Sequence, residues 1–343
     1  QAIAAHKPSV DANGSVGLAR YSDSTFSAVS LSNPDADQTY ENASIGLQAS
    51  WLLFDGYARK FNQEQAEYGE EASTAAKENS QRLLLAAVAA AFFNAQLAQT
   101  SVEIAVADQE FYEQQLSDAQ HRFEAGAGSK GDVLNIKVQL NAAKASAITG
   151  RREQEAARYG LAALLGLPNA TLPNKIELAK LDKDYSLPSN DLSEDVDELI
   201  EEALRLRPDL NQMTLQVKTA KAAIGQAKAK DWPLVQLLGQ VNSSTQGELF
   251  PSDDDLSGSL ALNVSWNLYS AGTVEAAVAE ARQMKREATY NHANLRNSIA
   301  AEIRQDIARL QAARRQVQLQ RESVELVKEN RELAESEYEA GSA

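Results

Sequence analysis

The sequence contains one pattern of residues twice, at a constant spacing. Trp51 and Trp266 each follow a serine and precede a short turn that ends in glycine. Phe123 and Tyr338 each begin the pattern aromatic-Glu-Ala-Gly, and both pairs are separated by 215 residues. Two separate anchors at one spacing indicate an internal duplication, so we expect both copies to fold as the same unit.

Each copy opens with two runs in which apolar and small polar residues alternate, at 10–18 and 42–53 in the first copy and at 235–242 and 259–268 in the second. Period-two alternation predicts strands with one face in apolar surroundings and the other in water. The connections at 22–38 and 243–257 are polar, and we predict loops there. The pattern leaves open a soluble antiparallel sheet packed on a helix or a transmembrane barrel.

Four strands are too few to close a barrel, because small barrels need about eight. An open sheet edge is not tolerated in lipid. If the four strands cross a membrane, several chains must therefore contribute strands to one barrel.

After the second strand of each copy, the spacing of apolar residues becomes helical. The ranges 57–125 and 273–340 contain no proline, and each predicts a helix about 100 Å long. Apolar residues recur at seven-residue spacing, which is typical of coiled coils, with Gln109 and Arg331 as exceptions. They are Val88, Ala95, Val102, Leu116 and Phe123 in the first copy, and Ile303, Leu310, Val317, Val324 and Tyr338 in the second.

Two further helices are predicted. One covers 132–165 and ends at Gly166-Leu167-Pro168, and the other covers 194–230 with an interruption near Arg207-Pro208. The range 168–195 contains three prolines and is predicted to be an irregular connection between the copies.

Composition excludes several classes of function. The formal net charge of −15 disfavours nucleic acid as a partner, and the absence of cysteine excludes disulfides and thiolate metal sites. We find no run of about 18 apolar residues and expect no transmembrane helix. His6, His121 and His292 are isolated, and the Asp253–Asp255 run fits a solvated loop better than a cation site. We therefore predict no catalytic residue, no metal site and no cofactor.

The motifs in this order resemble the TolC family of bacterial outer-membrane efflux ducts. The family pattern is a strand ending in a Trp-x-Leu-Phe-Asp-Gly-like turn, a long helix with an aromatic-x-x-Gly turn, and an Asp-Val-Leu helix start. The matching residues here are Trp51 to Gly56, Phe123 to Gly126, and Asp132-Val133-Leu134. The second copy has Trp266 to Gly272 and Tyr338 to Gly341.

The resemblance implies a mainly α protein with a β-barrel part, assembled as a homotrimer. Each chain would give four strands to a twelve-stranded barrel in outer-membrane lipid and its helices to a tunnel in the periplasm. The expected divisions are 1–56 for the end of a truncated helix and the first transmembrane hairpin, 57–167 for the first helical hairpin, 168–195 for an equatorial belt, 196–231 for the helix opening the second repeat, 232–272 for the second hairpin, and 273–343 for the second tunnel helix. Gln1 to Lys7 and Glu339 to Ala343 suggest that both ends of a longer unit are missing.

The resemblance also implies partners and site residues. The duct would dock on a periplasmic adaptor and an inner-membrane pump, and would pass drugs, toxins or other solutes outward in efflux or type I secretion. Asp132 and Tyr338 occupy the positions of an aperture gate. The strand-to-helix turns would be formed by Trp51, Phe54, Gly56, Trp266, Tyr269 and Gly272, and the tunnel tips that meet the adaptor by Phe123, Gly126, Gly128 and Gly341.

Two other functions are compatible with long helices. A periplasmic adaptor carries one helical hairpin flanked by small β-domains, whereas this chain repeats a strand pair followed by a long helix. A soluble trimeric coiled-coil structural protein would stay in solution without detergent. Asp132 has a simpler interpretation as well, because an acidic residue is favoured in the first turn of a helix.

Overall fold

The computed structural model describes residues 4–32, 38–173, 176, 178–179, 196–246 and 256–339. The chain divides into two units, and each is described separately. The first comprises Gln1–Ala76 and Ile200–Glu302, and the second comprises Lys77–Leu199 and Ile303–Ala343.

The first unit contains one antiparallel sheet in the order β1-β2-β3-β4. The strands are β1 (Ser9–Arg20), β2 (Thr39–Phe54), β3 (Leu234–Gln246) and β4 (Leu256–Ser265). Strands from both copies are therefore hydrogen-bonded side by side, through the pairing of β2 with β3. In the part of the chain that the structure describes, β1 and β4 each have a strand partner on one side only.

The register separates apolar from polar side chains. Val10 lies opposite Ala49, Leu47 opposite both Ala12 and Val241, and Leu237 opposite Leu262. This apolar face is uncovered in the chain, since Val16 is 73% exposed and Leu260 is 76% exposed. The opposite, polar face consists mainly of serine, asparagine, glutamine and glycine, with pairs such as Ser15–Ser44, Gln48–Gln240 and Asn242–Ser257. The predicted two-faced sheet is confirmed.

The predicted extent of the fourth strand was wrong. Trp266 and Leu268 lie beyond β4, which ends at Ser265. Ser265 pairs with Leu234, the first residue of β3. The residue before Leu234 is Pro233. Proline has no backbone N–H to continue the hydrogen bonds between β3 and β4, so the pairing of these strands stops there.

The predicted loop at 22–38 instead contains a helix, α1 (Asp23–Ser32). Ser22 explains its start, because its Oγ accepts a hydrogen bond from the Thr25 backbone N–H at 3.3 Å. A serine in this position satisfies an N–H that has no partner within the helix. Residues 33–37, and the Asp253–Asp255 run in the other connection, lie outside the described residues.

The long helices agree with the prediction to within a few residues. They are α2 (Ala58–Glu124), α3 (Lys130–Leu164), α4 (Val196–Leu206), α5 (Pro208–Ala229) and α6 (Thr273–Glu339). Both α2 and α6 contain 67 residues, as expected for a duplicated unit. The predicted interruption is also present, because α4 ends before Arg207 and Pro208 begins α5.

The second unit has its core between α2 and α3. Ala95 is fully buried there with Leu161 and Leu178, and Val88 and Phe92 pack against them. This confirms the first-copy heptad positions at 88 and 95 as packing residues. In the second copy the equivalent stripe is exposed in the chain: the exposed fractions are 39% for Leu310, 40% for Val317 and 51% for Val324.

One described helix meets the length and hydropathy criterion for a membrane span, whereas the sequence predicted no transmembrane helix. An 18-residue window of α2 has a mean hydropathy of 1.5, which together with its length satisfies the usual criterion among the described helices. Parts of α2 can meet this criterion because it contains runs such as Leu83-Leu84-Leu85 and Ala89-Ala90-Ala91. Only 11% of that window is buried, so packing within the described residues does not account for its hydropathy.

Gly225 permits a close approach of α5 to α2 because it has no side chain. A Cβ added at Gly225 would overlap the ring of Phe61, whereas one added at Gly69 would have nothing within 4 Å. We expect Gly225→Ala to destabilise the protein by about 1–3 kcal/mol through overpacking. Gly69→Ala, the matched control on an open helix surface, should be neutral or stabilising by about 1 kcal/mol. Thermal unfolding of the detergent-solubilised protein checks this, and equal midpoints for the two variants would contradict it.

Candidate functional site

The two copies use the same hydrogen bond where each hairpin meets its helix. The indole Nε1–H of Trp51 donates to the carbonyl oxygen of His6 at 3.2 Å, and that of Trp266 donates to the carbonyl oxygen of Asp231 at 3.0 Å. Each acceptor lies two residues before a proline, Pro8 or Pro233, that precedes the first strand of its hairpin. Each tryptophan thus ties the end of its hairpin to the start, and the duplication extends to this contact.

Arg59 locks the first strand-to-helix turn. Its guanidinium donates to Asp55 Oδ2 at 3.1 Å and to the carbonyl oxygens of Leu52 at 2.6 Å and Leu53 at 3.1 Å. A fourth bond reaches the carbonyl oxygen of Ala5 at 3.3 Å. The side chains of Arg59 and Asp55 are only 12% and 9% exposed, so the ion pair is largely shielded from water. The last carbonyls of β2 would otherwise lack these partners.

The sequence analysis did not identify Arg59. Its spacing to Asp55 is that of a helical i,i+4 ion pair, which was the only available signal. Most of its partners are backbone carbonyls, and the sequence does not specify which carbonyls a side chain will reach.

The predicted residues of the first turn lie together. The ring of Phe54 makes edge contacts with Tyr57 at 5.7 Å and with Trp232 at 6.4 Å between centroids. Gly56 has φ +65°, and a Cβ there would lie 2.5 Å from the carbonyl oxygen of Ala229. Glycine is therefore required at Gly56 both by backbone conformation and by close packing.

The second turn is more open. Gly272 also has a positive φ, +82°, but a Cβ there would have nothing within 4 Å. Tyr269 is 85% exposed. The residue that corresponds to Arg59 by the duplication is Val274, so the guanidinium lock is absent from this copy. Thr273 instead donates its hydroxyl to the Ser270 carbonyl oxygen at 2.9 Å.

The first helix tip is a tight turn between α2 and α3. Gly126 has φ +76°, and a Cβ at Gly128 would lie 3.1 Å from the backbone nitrogen of Phe123. Phe123 is 44% exposed. Of the second tip, Gly341 lies outside the described residues, and Tyr338 is within α6 but its side chain is not described.

Asp132 forms a capping box at the start of α3. Ser129 Oγ accepts from the Asp132 backbone N–H at 3.1 Å, and Asp132 Oδ2 accepts from the Ser129 backbone N–H at 3.3 Å. Two backbone donors at the helix start are satisfied in this way. The capping interpretation of Asp132 is thus confirmed, while its role as a gate stays a prediction.

A charged group also fixes the break between α4 and α5. Arg207 binds both carboxylate oxygens of Asp209, at 3.1 and 2.7 Å, and Glu302 Oε2 at 2.6 Å. These hydrogen bonds, first of all those to Asp209, raise the pKa of the Arg207 guanidinium above its usual value. Among the described residues no cluster of three or more histidine or acidic side chains suits a metal ion.

The hydrogen bonds of Arg59 at the first strand-to-helix turn should stabilise the folded protein. Arg59→Met would leave the poorly hydrated Asp55 carboxylate without its cation and two strand-end carbonyls without this donor. Removing one partner of a buried ion pair costs about 3 kcal/mol or more. We expect a clear drop in the thermal unfolding midpoint of the detergent-solubilised protein. Arg59→Lys, which keeps the charge but loses the branched geometry, should be intermediate. A midpoint for Arg59→Met at or above that of Arg59→Lys would refute the lock.

Comparison with known proteins agrees with this architecture. A family model described as outer membrane efflux protein matches residues 1–167 and 199–343. Protein CyaE of Bordetella pertussis is 27% identical over 278 residues, which cover 80% of this chain and 56% of that protein. The alkaline protease secretion protein AprF of Pseudomonas aeruginosa is 28% identical over 61% of this chain and 42% of its own length. The chain thus spans about half the length of these two relatives.

A solved structure shows the same fold. The outer membrane protein VceC from Vibrio cholerae superimposes with a TM-score of 0.79 at 17% identity, covering 100% of this chain and 79% of VceC. The resemblance to outer-membrane efflux ducts that the motifs indicated is confirmed. The chain belongs to the outer membrane efflux protein family, which comprises channel proteins of the bacterial outer membrane and is not a family of enzymes.

Proposed function

We propose that the protein is the outer-membrane duct of a tripartite efflux or type I secretion system and that it works as a homotrimer. The observation that carries this proposal is the sheet with one exposed apolar face, one polar face and two unpaired edges. Lipid would cover the apolar face and water would fill the space against the polar face.

The unpaired edges support the homotrimer. Backbone N–H and C=O groups along the outer sides of β1 and β4 have no strand partner among the described residues. In lipid such groups must be satisfied by other strands. Pairing β4 of one chain with β1 of the next satisfies both edges, and three copies close a ring of twelve strands.

The helices would form the tunnel in the periplasm. The apolar stripe of α6, at Leu310, Val317 and Val324, is uncovered in the chain and would pack against helices of a neighbouring copy. The range 168–195, expected to form a belt around the tunnel, lies mostly outside the described residues. The tip near Gly126 and Gly128 would meet a periplasmic adaptor, and an inner-membrane pump would supply the energy, so that solutes pass through passively.

The exposed sheet face argues against a soluble trimeric coiled-coil protein. Val10, Val16 and Leu18 are each at least 69% exposed on β1 alone. A continuous apolar surface of this kind is characteristic of a membrane or a large interface rather than of a face in water. The repeated pairing of hairpin and long helix equally disfavours an adaptor.

We also propose that Asp132 and Tyr338 hold the aperture closed. Asp132 Oδ2 is occupied by the Ser129 backbone N–H, and a carboxylate has a second oxygen that could accept from a phenol. The cap and the gate are therefore compatible. Ser129 offers a way to separate them, since it shares the capping box but adds no charge.

The duct and the gate are tested together by conductance of the full-length protein in planar lipid bilayers. We expect discrete channels, with a larger open conductance for the Asp132→Ala/Tyr338→Phe variant because the contact that closes the aperture is lost. Ser129→Ala removes the other hydrogen bond of the capping box, from the Asp132 backbone N–H to Ser129 Oγ, but keeps the carboxylate, so its conductance should match the native protein.

The possible outcomes distinguish the proposed duct from the proposed gate. Equal conductance in all three proteins would retain the duct and reject the gate. An increase with Ser129→Ala as large as that of the double variant would show that loss of the cap, not of the gate, widens the pore. A protein that stays soluble without detergent and never inserts would overturn the duct.

A further inference from the structure

The polar face of the sheet carries one group that is charged at neutral pH. The register places the odd-numbered residues of β1 on this face, together with even-numbered residues of β2 and β3 and odd-numbered residues of β4. Within the described strands, Asp11 is the only acidic or basic residue among them. Glu41 and Arg20 have the other parity and belong to the apolar face, close to the far end of the hairpin.

Asp11 stands in a row of uncharged side chains. It pairs with Gln48, which pairs with Gln240, which pairs with Ser259. The strand residue Asp11 is exposed, and its carboxylate makes no hydrogen bond or ion pair with the described residues. A carboxylate without a local cation keeps its field available to whatever occupies the space beside the sheet.

The charge is specific to the first copy. Counting from the prolines that precede the hairpins, Pro8 and Pro233, the residue that corresponds to Asp11 is Gln236. Gln236 lies on the same polar face, where it pairs with Leu52 and Asn263. Within the described strands, each chain therefore contributes one carboxylate to the polar face and not two.

We propose that Asp11 sets the ion selectivity of the barrel: in the trimer, three Asp11 carboxylates form a ring that favours cationic over anionic solutes. This inference rests on the proposed homotrimeric duct. Asp11 is the third residue of β1, and β1 begins at the end of the sheet where β2 leads into α2, so the ring lies at the helix-side end of the barrel. Rings of acidic side chains are a general means of selecting cations in pores.

Ionic strength determines the reach of such a ring. The Debye length is about 10 Å at 0.1 M salt and about 3 Å at 1 M. A ring of three charges on the wall of a wide barrel therefore acts on ions in the lumen at low salt and is largely screened at high salt. Other charges of the duct contribute equally to the native protein and to a variant at this position, so their effect cancels in the comparison.

The test is the reversal potential of the full-length protein in planar bilayers under a KCl gradient. For Asp11→Asn we expect the ratio of potassium to chloride permeability to fall about twofold or more near 0.1 M salt, and much less near 1 M. Glu41→Gln removes the same charge from the apolar face of the neighbouring strand and should leave the ratio unchanged. Asp11→Asn/Gln236→Asp returns one carboxylate per chain to the polar face and should restore cation preference.

Several results would overturn the inference. One is an unchanged ratio for Asp11→Asn, another is an equal shift for Glu41→Gln, and a third is failure of Gln236→Asp to restore the ratio. In each of these cases discrete channels would still be observed, so the duct would stand while the selectivity role fell. Absence of channels in the native protein would instead reject the duct, and the selectivity role with it.

Discussion

The unpaired backbone groups on β1 and β4 are the constraint on which the rest of the structure depends. In hydrocarbon each such group costs several kcal/mol, so a four-stranded sheet with an apolar face is not viable there as a single chain. In the proposed barrel, β4 of one copy would pair with β1 of the next. The backbone groups at both edges would then be hydrogen-bonded without a further strand in the chain. The two hairpins are joined through the pairing of β2 with β3, so one chain supplies four consecutive strands.

Both strand-to-helix turns depend on a bond that the duplication has kept, while the features around that bond have diverged. Trp51 and Trp266 each bond the carbonyl that precedes their hairpin, so the base of each hairpin is closed in the same manner. Beyond that bond, Arg59 ties the first turn to the last carbonyls of β2, whereas Val274 stands at the equivalent position in the second copy. The first turn is therefore fixed by charge-assisted bonds, and the second by the tryptophan and a threonine hydroxyl.

Elements with a long periodic pattern were predictable from sequence, and those decided by a few contacts were not. The proline-free helical spacing predicted α2 and α6 within a residue or two, because many residues contribute to one signal. The ten-residue helix α1 was missed because it depends on a cap at Ser22. The end of β4 depends on Pro233, which acts through the neighbouring strand.

Residues of the candidate site were likewise predictable where the local sequence determines the conformation, and not where a few distant contacts do. The glycines at the turns were predictable because glycine adopts a positive φ most readily, and Gly56, Gly126 and Gly272 all have one. Arg59 was not predictable, since most of its partners are backbone carbonyls brought near it only by the fold. Asp132 was found, but its observed partner is Ser129, a contact that sequence spacing supports as readily as a distant gate.

The polar face of the sheet is nearly uncharged within the described strands. A Cβ at Gly17 would lie 2.9 Å from the side-chain oxygen of Asn42, and one at Gly46 would lie 3.1 Å from that of Asn13. Glycine thus leaves room for amide side chains to lie across the sheet. Amides and hydroxyls hydrogen-bond to water in either direction without binding one ion strongly. Such a wall would suit the proposed duct, since strong attraction to one group would hold a solute in place.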